Sequence, residues 1–170
     1  MTRVLVTAAT THGATDEIAR AIADVLAGQG IDVDMTAPED VTGVDGYDAV
    51  VLGSAVYGGH WLEPAKALVE RSGAALAGRP VWLFSSGPVG DPSRKLVRAM
   101  GADPVDLPEL MRATGARGHR MLAGKLEKQD LPFAQRAALT VFRGLEGDFR
   151  DWDEIRTWAT EIADALQSAS

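Results

Sequence analysis

No cysteine occurs in the 170 residues. Disulfides, thiolate metal centres and thiol nucleophiles are therefore excluded, a cysteine phosphatase among them. Histidine is scarce: His12, His60 and His119 stand far apart, with no H-x-x-x-H spacing, and no metal site is indicated. No apolar run nears the roughly 18 residues of a membrane span, and no signal peptide precedes the first apolar segment, so a cytoplasmic protein is expected. The G-x-x-x-x-G-K-[ST] of an NTP-hydrolysing P-loop is missing, as is a dinucleotide-binding G-x-G-x-x-G. No acidic cluster ends the first strand, which counts against a phospho-accepting receiver domain. No G-x-S-x-G elbow supports a hydrolase built on Ser54 or Ser85. A net charge of −7 argues against general nucleic-acid binding.

What is present reads as one α/β domain spanning residues 1–170. Hydrophobic residues at 46% and charged residues at 24% are ordinary for a globular chain of this length, large enough for a real core. Val4-Leu5-Val6 is a short apolar run, too short for a helix, and reads as a buried strand. From Ile18 the period changes: Ile18, Ile22, Val25 and Leu26 recur at helical spacing until Gly28 and Gly30. Between the two lies Ala9-Thr10-Thr11-His12-Gly13-Ala14-Thr15. Such a loop of small and hydroxyl residues can aim backbone N–H groups and the positive end of a helix dipole at an anion. Thr10, Thr11 and Thr15 add hydroxyl donors, and Gly13 allows a backbone angle that bulkier residues avoid. The plainer alternative is an ordinary turn, with Thr15 capping the helix.

Further along, Ile31–Met35 alternates as a second, less buried strand. Ala49-Val50-Val51-Leu52-Gly53 is a central strand, ending in a loop over 54–61. A helix is expected over Leu62–Arg71, a strand at Val81-Trp82-Leu83-Phe84, and a loop over 85–90. Helices are expected over Ser93–Met100 and Leu107–Thr114, and a last strand at Arg120-Met121-Leu122-Ala123. The order implies a parallel sheet with helices on both faces and a ligand outside the carboxyl ends of its strands. The loops at 9–15, 54–61 and 85–90 all lie at those ends and are expected to converge. Leu126–Gly147 is too long for a plain connection. Its Phe133, Ala134, Ala137, Ala138, Val141 and Phe142, with Arg136 and Arg143, read as an amphipathic helix that either packs on the domain or meets a membrane or partner. Over Arg112–Arg150 eight basic residues oppose four acidic ones, a local +4 that leaves −11 elsewhere. Asp151–Leu166 is a final helix with an Ile155, Trp158, Ala159, Ile162, Leu166 stripe.

The motifs T-T-H-G-A-T, G-S-A-V-Y-G-G-H-W, G-K-L and G-D-F-R-D-W-D together resemble the flavodoxin-like superfamily, and within it the flavodoxin-domain proteins related to menaquinone-dependent protoporphyrinogen IX dehydrogenase. The resemblance implies a three-layer α/β/α fold with a five-stranded parallel sheet in the order 2-1-3-4-5, an insert at 126–150, and FMN as cofactor. It makes Thr10, Thr11, His12, Gly13, Ala14 and Thr15 the phosphate loop, a phosphate site without Lys or Arg. It lays Ser54, Ala55, Val56, Tyr57, Gly58, Gly59 and His60 along the isoalloxazine ring. Tyr57 or Trp61 is a candidate for stacking on the ring, or else an anchor of its loop. Backbone groups of Gly58 and Gly59 are candidates for the N5 edge. Ser85, Ser86 and Gly87 are candidates for the pyrimidine end. His60 is the candidate catalytic residue, as a proton donor or a positive neighbour of reduced flavin. Two departures from the family pattern stand out: Ala9 offers no hydroxyl, and 85–90 holds no aromatic, which leaves a ring face open or covered by another segment.

Two functions follow. One is an FMN-dependent oxidoreductase passing electrons from a porphyrinogen-like substrate to a quinone, with peripheral membrane contact through 126–150. The other is an electron-carrier flavodoxin steered to a redox partner by its acidic surface. The resemblance also implies a homodimer.

Overall fold

The computed structural model describes residues 2–10, 13–57, 59–87, 104–123, 125–126, 147–148 and 151–168. β1 (Arg3–Ala9) is buried from its second residue onward. Its side chains alternate between two cores. Val4, Val6 and Ala8 join one cluster, and Leu5 and Ala9 join the other. An apolar strand with no polar face is what helices on both sides of a parallel sheet require.

Five parallel strands run in the order β2 (Asp32–Met35), β1, β3 (Ala49–Tyr57), β5 (Val81–Gly87) and β6 (Gly118–Ala123). Counted as parallel strands, this is the expected 2-1-3-4-5 order. A sixth strand, β4 (His60–Trp61), folds back antiparallel on the end of β3. α1 (Ala14–Gly28) and α4 (Trp152–Ser168) cover one face through Ile18, Ile22, Leu26, Ile155, Trp158 and Ile162. α2 (Glu63–Ala77) and α3 (Leu107–Thr114) cover the other through Ala65, Leu68, Leu76 and Leu110.

Three expectations about extent are corrected. β3 does not stop at Gly53 but continues through Tyr57, so 54–57 is strand rather than loop. Ser54, Ala55 and Val56 are only 0, 8 and 6% exposed. Ser54 tolerates this because its hydroxyl donates to the Ala55 carbonyl (2.7 Å) and accepts the Leu62 N–H (2.9 Å). β5 likewise runs on through Ser85, Ser86 and Gly87, the two serines paired by both β3 and β6 and Gly87 by β6. Small and hydroxyl residues imitate a loop in sequence, and only the neighbouring strands extend them into a ladder. α2 runs to Ala77 rather than ending near Arg71, because burial of Leu76 in the core outweighs the roughly 1 kcal/mol cost of Gly73 inside the helix.

Gly53 shows why a glycine sits mid-strand. A Cβ there would lie 2.2 Å from the ring of Phe84, which crosses β3 at that point. Phe84 is fully buried and meets Trp158 edge-on, with centroids 6.0 Å apart, which seats α4 on the sheet. Asp151 caps α4: its Oδ1 accepts the Glu154 N–H at 3.1 Å.

Two short strands, β7 (Lys125–Leu126) and β8 (Gly147–Asp148), pair antiparallel, with Lys125 opposite Asp148 and Leu126 opposite Gly147. The expected helices over Ser93–Met100 and Phe133–Arg143 lie outside the described residues. Among the described residues no helix is long and apolar enough to cross a membrane.

Candidate functional site

Sheet register brings the strand ends together. Ala9 stands beside Ser54, Ser54 beside Ser85, and Ser85 beside Met121. The chain leaves β1 through α1 on one face toward β2, and leaves β3 through α2 on the other face toward β5. That reversal between β1 and β3 opens a crevice beyond the carboxyl ends of the strands. The expected convergence of the first two segments is thus built into the topology. Of the third, Ser85–Gly87 reaches the same edge, and 88–90 lies outside the described residues.

The β1–α1 side offers uncharged donors at a helix start. Thr10 is exposed, and its Oγ1 accepts the Gly13 N–H at 2.9 Å. Gly13 occupies the N-cap at φ 90°, a left-handed conformation that favours glycine. The helix start has no side-chain cap, and its first internal bond runs from the Glu17 N–H to the Gly13 carbonyl (3.0 Å). The amides of Ala14, Thr15 and Asp16 therefore have no acceptor within the helix. Thr15 is not the cap: it is the second helical residue and 3% exposed. A Cβ on Gly13 would meet nothing within 4 Å, so the approach there is open. Asp16 and Glu17 add negative charge to this first turn, with Arg20 3.5 Å from Asp16. Thr11 and His12 lie outside the described residues.

The other side is the β3–β4 hairpin. Tyr57, half-buried, pairs across the turn with His60. Gly58 lies outside the described residues. Gly59 makes the turn at φ 83°, and its carbonyl accepts the Val105 N–H at 2.7 Å, so that oxygen already has a partner. Val105 itself is 70% exposed and lies against Gly59.

Trp61 turns inward. It is 3% exposed, and its indole Nε1–H donates to Ser85 Oγ at 2.8 Å. It anchors the hairpin rather than stacking on a ligand, which leaves Tyr57 as the aromatic of this hairpin at the edge. Ser85 Oγ also lies 2.7 Å from His119 Nε2, so the hydroxyls of both Ser54 and Ser85 serve the interior. Ser86 is 4% exposed within the ladder.

Asp106 escaped sequence reasoning. It stands at the N-cap position of α3 yet makes no capping bond. Its Oδ1 and Oδ2 each lie 3.2 Å from His60 Nδ1, and Oδ2 accepts the Trp61 N–H at 3.0 Å. Lys66 Nζ stands 3.9 Å away. Burial alone would push this carboxyl up, but the bonds from His60 and Trp61 and the charge on Lys66 outweigh it and hold it below the usual carboxylate range. A lone Asp before Leu-Pro-Glu reads as a helix cap, and no local signal ties it to a histidine 46 residues earlier.

A three-layer doubly wound sheet, with its crevice between a neutral helix-start loop and a glycine hairpin, defines a flavodoxin-like α/β protein. A family profile described as Flavodoxin domain matches residues 5–153, and the chain belongs to that family. The cofactor this membership indicates is FMN, which makes the chain an electron-transfer flavoprotein of the FMN type. Among solved structures it is similar to a flavodoxin from the domain Archaea, with 18% identity, a TM-score of 0.65, and 97% of this chain and 99% of that one covered. It is also similar to the flavodoxin of Streptococcus pneumonia TIGR4, with 21% identity, a TM-score of 0.61, and coverage of 96% and 99%. The rubredoxin oxygen:oxidoreductase of Desulfovibrio gigas matches at 16% identity and a TM-score of 0.64, over 98% of this chain but 36% of that one. At such identities these likenesses speak for the fold. No curated protein sequence matches the chain.

The residues present fit FMN. The amides of Ala14–Asp16 have no acceptor within the helix and the Thr10 hydroxyl stands at the same helix start, a donor set suited to a phosphate.

Proposed function

We propose that the chain is an FMN-dependent oxidoreductase that takes electrons from a reduced, porphyrinogen-like substrate and passes them to a quinone. Bound FMN supplies both one-electron and hydride chemistry. The observation that carries the enzymatic reading is the half-exposed imidazole of His60, held on the hairpin at the crevice by a carboxylate from a separate segment. A two-electron oxidation at C–H and N–H bonds also releases protons, and a carrier that passes single electrons needs no such group. In this reading Thr10 and the Ala14–Asp16 amides hold the phosphate, together with Thr11 and His12, and Gly13 shapes the turn. Tyr57 and the Gly58–Gly59 turn face the ring.

The likeness to menaquinone-dependent dehydrogenases draws on G-K-L and G-D-F-R-D-W-D, and parts of both motifs form β7 and β8. The residues between them include Phe133, Val141, Phe142, Arg136 and Arg143, a composition suited to an anionic membrane surface where quinone resides. Cytoplasmic residence at the inner membrane face, and a homodimer, complete this reading.

The test begins with absorbance of the purified protein and identification of the released chromophore. Anaerobic oxidation of protoporphyrinogen IX with a menaquinone as acceptor follows. A yellow protein with no turnover would overturn the dehydrogenase assignment. Co-sedimentation with anionic vesicles is expected to disappear on deletion of 133–143, and unchanged binding would remove the membrane contact.

A second reading, a flavodoxin-type electron carrier, is favoured by the near-complete coverage of a small flavodoxin and by the net charge of −7. Rapid exchange with a flavodoxin reductase, without turnover of the small-molecule pair, would establish it.

A further inference from the structure

We propose that Asp106 is the positioning residue for His60: it fixes the imidazole in the Nδ1–H tautomer and turns Nε2 into the nitrogen that exchanges a proton at the crevice. This rests on the oxidoreductase reading above and adds to it a residue that no local sequence pattern marks.

The geometry supports this in three ways. First, a carboxylate only accepts, and both Asp106 oxygens lie 3.2 Å from Nδ1, so Nδ1 carries the hydrogen. Nε2 is then the basic nitrogen of the neutral ring. When it takes a proton, the imidazolium charge arises beside an ionised carboxylate. Second, Asp106 is itself fixed. Its Oδ2 accepts the Trp61 N–H at 3.0 Å, and the neighbouring Val105 N–H donates to Gly59 at 2.7 Å, so the 105–106 backbone is tied to the hairpin. Asp106 is 18% exposed against 52% for His60: the orienting group is sheltered and the oriented one is open. Third, the surroundings are consistent with the role. From α2, Lys66 faces Asp106 at 3.9 Å and keeps the carboxylate ionised, and from β3, Tyr57 lies opposite His60 in the ladder. A carboxylate behind a histidine fixes both tautomer and ring orientation, and behind metal-binding histidines its loss costs about ten- to a hundred-fold, the scale taken here.

The experiment uses full-length, FMN-loaded, ¹⁵N-labelled protein, with His60 assigned by comparison with His60→Asn. Two-bond ¹⁵N–¹H spectra of the neutral ring report which nitrogen is protonated, and porphyrinogen–menaquinone turnover is followed in parallel. Wild type is expected to show Nδ1–H. Asp106→Ala is expected to lose that preference and to lower turnover roughly ten- to a hundred-fold at unchanged FMN stoichiometry. Asp106→Asn, which keeps a carbonyl acceptor, is expected to restore the tautomer and part of the rate. His60→Asn keeps an N–H for Asp106 but cannot titrate, and it should slow turnover at least as far as Asp106→Ala. Combining the two should add little. An Nε2–H tautomer in wild type, or an Asp106→Ala protein with unchanged tautomer and rate, would overturn the assignment. If Asp106→Ala fails to fold, the same comparison between wild type, Asp106→Asn and His60→Asn decides. If the protein binds no FMN, the oxidoreductase reading falls, while the tautomer in the flavin-free protein still decides the role of Asp106.

Discussion

Gly53→Ala should destabilise the protein through a single contact whose size follows from the structure. The new Cβ would lie 2.2, 2.3 and 2.5 Å from Cζ, Cε1 and Cε2 of Phe84, where carbon atoms prefer about 3.5–4.0 Å. The ring would have to retreat by more than about 1 Å. It has little room to do so, being 0% exposed and wedged edge-on against Trp158 of α4. Overpacking of this kind costs about 1–3 kcal/mol. Reduced freedom of the unfolded chain returns about 0.4–1 kcal/mol for a Gly→Ala change. At the middle of each range the net loss is about 1.3 kcal/mol, or a fall in Tm of roughly 3–5 °C for a chain of this length. Urea and thermal unfolding of the flavin-free protein measure it. Phe84→Leu leaves a cavity and destabilises alone, yet in the Gly53→Ala background it should relieve the clash, giving a favourable coupling of about 1 kcal/mol or more. A Gly53→Ala protein as stable as wild type, or a double mutant whose effects simply add, would refute the argument that Phe84 dictates glycine here.

Other consequences are as direct. Ser85→Ala removes the common partner of Trp61 Nε1 and His119 Nε2; it should cost about 1–3 kcal/mol and shift tryptophan fluorescence, as equilibrium unfolding and emission spectra would show. Thr10→Val deprives the Gly13 N–H of its acceptor and should weaken FMN binding in a titration followed by flavin fluorescence, while leaving the far-UV spectrum intact. Because the folded-state pKa of Asp106 is lowered, its contribution to stability is complete above the unfolded value of about 3.9 and is lost as pH falls through the lower folded value. Asp106→Asn should therefore flatten part of the acid limb of a stability-against-pH curve, and an unchanged limb would contradict the direction of that shift. FMN at a hundred-fold excess over its Kd should raise stability by about 2.7 kcal/mol, readable as a rise in Tm.

Much of the candidate site's backbone geometry was legible because it is local to one strand end or one turn. Thr10 and Gly13 announce a helix-start cradle within four positions, and Gly58-Gly59 announces a turn. What stayed hidden depended on long-range pairing. Ser54 and Ser85 look like loop hydroxyls offered to a ligand, but the β3–β5 and β5–β6 ladders and the inward turn of Trp61 draw them into the interior. Trp61 looks like a ring-stacking aromatic, and its burial is decided by Ser85, 24 residues later.

By itself the sequence determined the main elements and their class, though not the extents of β3, β5 and α2 or the short strands β4, β7 and β8. Val4–Val6 and Ala49–Leu52 are apolar on both faces, α1 and α4 each carry one apolar stripe, and such elements bury those surfaces only as helices on both sides of a parallel sheet. Leu107–Thr114 matched its expected bounds for the same reason, a local period closed by Gly115. Only the tertiary structure decided which polar groups meet. Hydrogen bonds act over about 3 Å and carry no periodic signature, so the approach of Asp106 to His60 exists only once α2 and α3 have packed on the same face of the sheet.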